Sequence, residues 1–224
     1  MRKVAFTFLA SFAATIMATE ASAFTPVGVV TTSRVELEPA AAEGYLAYSR
    51  AVVGHPDLLD LLVKPDGASV FRANPRGTAA FAGNFDGTTL VYSQSPYLGH
   101  RADIKLLDVV SRARSSPAGV NTRFHEAGPS LSGDWISFTR ARRTSLAYPR
   151  RLLLRNLSTS EQRQLDFGDN AYVQNGGIAG DYAAWTRCLR PTRCSTWRYQ
   201  ISTKTKTRLP NPQDKSQFAV SVTP

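Results

Sequence analysis

The sequence predicts an all-β fold of about four four-stranded blades plus the start of a fifth, and three observations carry that prediction. A glycine-led strand recurs at a period in the mid-forties. Each copy is followed by short strand segments separated by turn residues. Beyond the first 23 residues, no stretch sustains the 3.6-residue apolar period of a helix.

The recurring strand begins at Gly44, Gly87, Gly133 and Gly180 and runs to Arg50, Gln94, Arg140 and Arg187. Its aligned aromatics, Tyr48, Tyr92, Phe138 and Trp185, stand 44, 46 and 47 residues apart. Apolar residues alternate with polar or small ones before a closing hydroxyl, which predicts a half-buried strand after a tight turn. A second strand follows in each unit, over Leu58 to Val63, Asp103 to Val109, Arg151 to Leu157 and Trp197 to Ser202. Turn residues such as Lys64-Pro65-Asp66-Gly67 and Ser158-Thr159-Ser160-Glu161 lead to a weaker outer strand. A segment upstream of each glycine, such as Gly128-Pro129-Ser130-Leu131-Ser132, supplies the innermost strand. Four strands at this period make a β-propeller blade. Asp66, Asp86, Asp134 and Asp181 recur beside the turn glycines and are expected to accept local backbone hydrogen bonds.

Pro129-Ser130-Leu131-Ser132-Gly133-Asp134-Trp135-Ile136-Ser137-Phe138-Thr139-Arg140 resembles the TolB-type WD40-like propeller repeat, as does Asp86-Gly87 with Leu90-Val91-Tyr92-Ser93 and Asp103-Ile104-Lys105-Leu106-Leu107-Asp108. The resemblance covers about Arg34 to the end and implies a propeller. The first repeat starts close behind the expected cleavage site, so neither the domain that precedes TolB's propeller nor the hydrolase domain of prolyl-oligopeptidase relatives is expected. Ala219 to Pro224 aligns with an innermost strand, so the ring is expected to be incomplete, a shortened version of a longer protein, or closed by Val27 to Ser33. An open strand edge is then available to another chain.

Met1-Arg2-Lys3, the apolar run from Val4 to Ala18 and Ala21-Ser22-Ala23 form a secretory signal peptide, residues 1–23, cleaved between Ala23 and Phe24. The run is shorter than the roughly 20 residues of a membrane span. Residues 24–224 would then be the propeller repeats, soluble outside the cytoplasm, in periplasm or medium, with no transmembrane segment. Cys188 and Cys194, the only cysteines, are expected to form a disulfide across a hairpin. A redox pair or half a metal site would call for C-x-x-C or a nearby histidine.

The full chain has 27 basic and 17 acidic residues, a net charge of +10. The charges are spread out, which favours a solvated surface over a dedicated anion site. One cluster stands out. Arg140, Arg142, Arg143, Arg150 and Arg151, with Arg187, Arg190 and Arg193 in the next repeat, fall in equivalent loops and form a candidate anion-binding patch, with Tyr148 as a stacking face. No catalytic or metal residues are assigned. Gly128-Pro129-Ser130-Leu131-Ser132-Gly133 misses the spacing of a nucleophile elbow, and His55, His100 and His125 lack metal-ligand spacing. No cofactor and no nucleic-acid partner are expected. The expectation is a non-catalytic binding or scaffolding propeller for a protein or an anionic envelope polymer. The alternative is a fragment or subunit of an extracytoplasmic hydrolase or lyase with its site in the propeller channel.

Overall fold

Sixteen strands and no helix make up the described residues of the computed structural model, which are 35–142, 150–168, 171–190 and 193–210. All lie in one compact unit. The first blade holds β1 (Glu36–Ala42), β2 (Tyr45–Val52), β3 (His55–Pro65) and β4 (Phe71–Arg72). The second holds β5 (Ala79–Asp86), β6 (Thr89–Ser95), β7 (Asp103–Asp108) and β8 (Arg114–Ser115). The third holds β9 (His125–Ser132), β10 (Trp135–Ala141), β11 (Arg150–Asn156) and β12 (Gln162–Phe167), and the fourth β13 (Tyr172–Ala179), β14 (Tyr182–Arg190), β15 (Arg193–Gln200) and β16 (Thr205–Arg208). Within each blade the strands pair antiparallel in chain order, and one parallel bridge, Leu59 to Ala79, links the first two sheets. The expected innermost, central and outer strands are all present.

The central strands differ from expectation in burial. Four consecutive residues of β6, Leu90 to Ser93, and of β10, Ile136 to Thr139, are buried, so both faces of the strand are covered. Each blade lies between neighbours, and successive side chains point into opposite seams. Leu90 and Tyr92 join Ala47, Leu61 and Val63 between the first two blades. Val91 and Ile104 meet Ile136, Phe138 and Leu153 in the next seam, and Leu152, Leu154 and Leu165 meet Ile178, Trp185 and Tyr199 in the third. All four aligned aromatics are buried, and Tyr92, Phe138 and Trp185 lie in these seams. The closing hydroxyls Ser49, Ser93, Thr139 and Thr186 are buried too, although a polar residue in the pattern suggested a wet face.

The turn aspartates also act differently from expectation, through groups distant in sequence. Asp86 accepts the Gly133 amide of the next blade at 2.8 Å. Asp134 accepts the Ser158 hydroxyl, and Asp181 the Ser202 amide and hydroxyl, tying two turns of one blade together. Asp108, not singled out by the repeat, is the aspartate that folds back on its own turn, accepting the Val110 and Ser111 amides.

Polar latches cross the seams at repeat-equivalent points. The Asn84 side chain accepts from Leu131 N at 2.7 Å and donates to Leu131 O at 2.9 Å, as a strand neighbour would. Ser130 and Ser132 accept the Ile178 and Gly180 amides of the fourth blade. Gly83 permits the approach, since a Cβ there would meet Pro129 O at 2.3 Å. The innermost strands β1, β5, β9 and β13 thus pack in series, and among the described residues β13 does not pack on β1 in the same way, so they form an arc. Val27 to Ser33 and Ala219 to Pro224 lie outside the described residues.

Candidate functional site

Every innermost strand carries one extra residue at its middle. The register with its partner slips at Glu38-Pro39, Gly83-Asn84, Gly128-Pro129 and Gly176. Such bulges release backbone groups from the ladder and re-aim side chains. All of these residues line a single axial groove of about 660 Å³, which therefore draws on all four blades. Glu38 is the exception in chemistry. It stands where the third blade has Gly128, and it adopts the same left-handed backbone, φ 49° against 57°. A non-glycine residue held there carries a conformational cost that the glycine of the third blade avoids. Surroundings in the groove raise the Glu38 carboxyl above its ordinary range by desolvation, while the residue keeps an exposed edge.

The other charged groups of the groove sit where the innermost strands of the third and fourth blades begin. The register places His125 opposite Ala141 and Ala141 opposite Arg150. The Arg150 guanidinium lies 5.3 Å from the centre of the Tyr172 ring. His125 accepts the Ala102 amide at Nδ1, 3.0 Å, so its neutral imidazole carries the proton on Nε2. Burial first, and the Arg150 charge second, hold this imidazole below its ordinary range. Thr139, Gln174 and Asn175 also line this wall, with the Thr139 hydroxyl donating to the Ala127 carbonyl and the Asn175 amide to the Gly128 carbonyl and the Ser137 hydroxyl. A side pocket of about 140 Å³ continues past His125 to His100, Ser93 and Ser95.

The eight arginines of the expected patch separate into distinct settings. Arg140 bonds Glu126, which is fully buried, at 2.8 Å, and Arg187 bonds Asp166, so these two guanidinium groups are held by internal carboxylates. Arg142, Arg151 and Arg193 are exposed. Among the described ones, Arg150 alone turns into the groove. Arg143, Tyr148 and the Arg190 side chain lie outside the described residues, as do Ala23 and Phe24. The inward pairs follow the repeat. Arg50 and Arg140 face Glu36 and Glu126 across the same register, whereas Arg187 faces Val173 and reaches back to the third blade instead. The Cys188–Cys194 disulfide is present and joins directly opposed residues of β14 and β15.

Sequence reading singled out His125 and Arg150 but missed Glu38, Tyr172 and Gln174. Only Glu38 leaves a trace, as Glu38-Pro39 in the repeat position of Gly128-Pro129.

Among solved structures, TolB from Acinetobacter baumannii superposes with a TM-score of 0.59 at 17% identity, covering 77% of this chain and 43% of that one. The fold is a β-propeller. A putative TolB from Agrobacterium tumefaciens gives a TM-score of 0.54 at 12% identity over 74% of this chain and 60% of its own. A puromycin-hydrolyzing peptidase of Mycobacterium tuberculosis gives 0.58 at 14% identity, with 80% and 29% covered. The propeller chain thus spans between 24% and 60% of the length of these and the other solved chains it resembles. The sequence matches no protein-family model and no curated protein.

Proposed function

We propose that this chain is an exported, non-catalytic binding propeller that holds a polypeptide partner in its axial groove. One observation carries the reading: each innermost strand is bulged at the same point, and all four bulges face one groove together with amide side chains. Backbone groups outside the ladder, beside the exposed Gln174 side chain, suit the hydrogen-bonding needs of another main chain. Compartment follows from the leader sequence and agrees with a disulfide between the only two cysteines. An anionic polymer is the other partner class, and the groove argues against it because Glu38 puts a carboxyl on its wall.

Site-specific photo-crosslinking on the exported chain tests this reading. A crosslinker at Gln174, in the groove, should give a discrete polypeptide adduct, and one at exposed Lys204 should not. The substitution Gln174→Trp should fill the groove and abolish an adduct formed from Tyr172. Equal labelling from both positions, or substrate turnover lost on a single groove substitution, would defeat it. Mass determination of the exported product checks the leader, with Phe24 expected as its first residue.

A further inference from the structure

Seven arginines of the described residues are half-buried: Arg50, Arg72, Arg140, Arg150, Arg155, Arg163 and Arg187. Five pair with carboxylates, of Glu36, Asp60, Glu126, Glu161 and Asp166. A sixth, Arg155, donates to the Ala118 carbonyl at 3.0 Å. Arg150 is the odd one out. Its Nε is closed off from water with no hydrogen-bond partner, and its guanidinium joins no ion pair among the described residues. Its surroundings are the Tyr172 ring, the imidazole of His125 and the groove itself. Taking a cation partly out of water with no counter-charge is unfavourable, and the imbalance is relieved when an anion arrives.

We infer that the Arg150 corner of the groove is a carboxylate-binding site, with the guanidinium as its charged anchor and His125 and Gln174 as flanking donors. This deepens the groove-binding reading and rests on it. The planar fork of arginine matches a carboxylate in two parallel hydrogen bonds. The charge count selects a monoanion. Among the described residues Arg150 is the single permanent cation lining the groove, His125 accepts the Ala102 amide as a neutral imidazole, and Glu38 adds an acid on the first blade's side. A phosphate monoester, at about −1.5 to −2, would be left undercompensated. Tyr172 holds the guanidinium from one side, so its free edge is presented to the ligand rather than swinging in solvent.

The test uses the full exported chain and four probes: an acidic pentapeptide with a free C-terminus, the same peptide amidated with its acidic side chains replaced by amides, succinate, and inorganic phosphate. The His125 imidazole is the reporter, followed by NMR titration. Groups lining the same spaces are Arg150 from β11, Tyr172 from β13, Glu38 across the groove and His100 across the side pocket, while Glu126, next to it in β9, points to the opposite face and pairs with Arg140. A bound carboxylate should offset the Arg150 charge and raise the His125 midpoint saturably. Arg150→Gln should raise that midpoint without any ligand, confirming a folded site, and weaken carboxylate binding about tenfold or more. Arg150→Lys should recover only part, because it keeps the charge and loses the fork. Binding by the free peptide alone assigns the carboxylate to a polypeptide, while equal binding of succinate assigns it to a small acid. Saturation by phosphate in preference to both, or unchanged carboxylate binding in Arg150→Gln, overturns the inference. If Arg150→Gln leaves carboxylate binding unchanged and the Gln174 crosslink intact, the carboxylate site fails while the groove stands. Absence of a discrete adduct from either Gln174 or Tyr172 in the unsubstituted chain would instead defeat the groove reading itself.

Discussion

Asp166 shows how much a single residue can hold together in this arc. It is buried at the end of the third blade, accepts the Trp185 indole N–H at 2.6 Å, pairs with Arg187 and has the Lys206 ammonium 3.8 Å away. Lys206 in turn lies 4.9 Å and 4.8 Å from the centres of the Trp185 and Trp197 rings, and desolvation there lowers its pKa despite the neighbouring carboxylate. Asp166→Ala would strand a buried indole donor and a guanidinium, so we expect a loss of about 3 kcal/mol in denaturant melts, with a red shift in Trp185 fluorescence. His125 supplies a pH dependence. Its folded-state pKa is depressed, so the unfolded chain takes up the proton first as pH falls from the ordinary histidine range near 6.5. Stability from this group is fully present above that range and is lost as pH falls through the folded value. Thermal melts between about pH 8 and pH 5 should show this fall, and Arg150→Gln should lessen it by removing one cause of the depression.

Among the elements, the β14–β15 hairpin is stapled at its tip and the others are not. Cys188 and Cys194 are paired in register with only five residues between them, Leu189 to Arg193. A loop so short constrains the unfolded chain modestly, and the double alanine variant should lose about 2 kcal/mol. Equilibrium unfolding of the oxidised chain against that variant measures it directly. The bulged innermost strands are the second element-scale feature. Gly83 follows from close approach and Gly128 from its left-handed backbone, and Glu38 is the position where that same backbone carries a side chain at a conformational cost.

For the whole molecule, stability resides in the seams between blades, because no blade buries its faces alone. The three cores each draw on two neighbouring blades, and the Asn84, Asp86, Ser130 and Ser132 latches cross the same seams. Asn84→Ala should therefore act locally. It leaves Leu131 N and O without their partners, at a cost of about 1–3 kcal/mol. Hydrogen exchange should quicken at Leu131 while Leu61, held by Asn74 in another seam, keeps its protection. Uniform loss across both amides would mean that the seams open together.

Spacing alone determined the blade count of the described residues, the strand order within each blade and the hairpin disulfide, because a repeat period and a pair of cysteines are properties of the chain itself. Tertiary structure decided the rest. Both faces of a central strand are buried because blades stack, which the alternating pattern of Thr89 to Gln94 does not reveal. The arginines of one cluster look alike in a string of letters, yet of the six whose side chains are described Arg140 and Arg187 meet carboxylates, three face solvent and Arg150 enters the groove with no ion pair among the described residues. Glu38, His125, Arg150 and Tyr172 come from different blades, and only the curvature of the arc brings them to one groove. A site assembled across seams has no linear signature, because the distances that define it are set by packing and not by position along the chain.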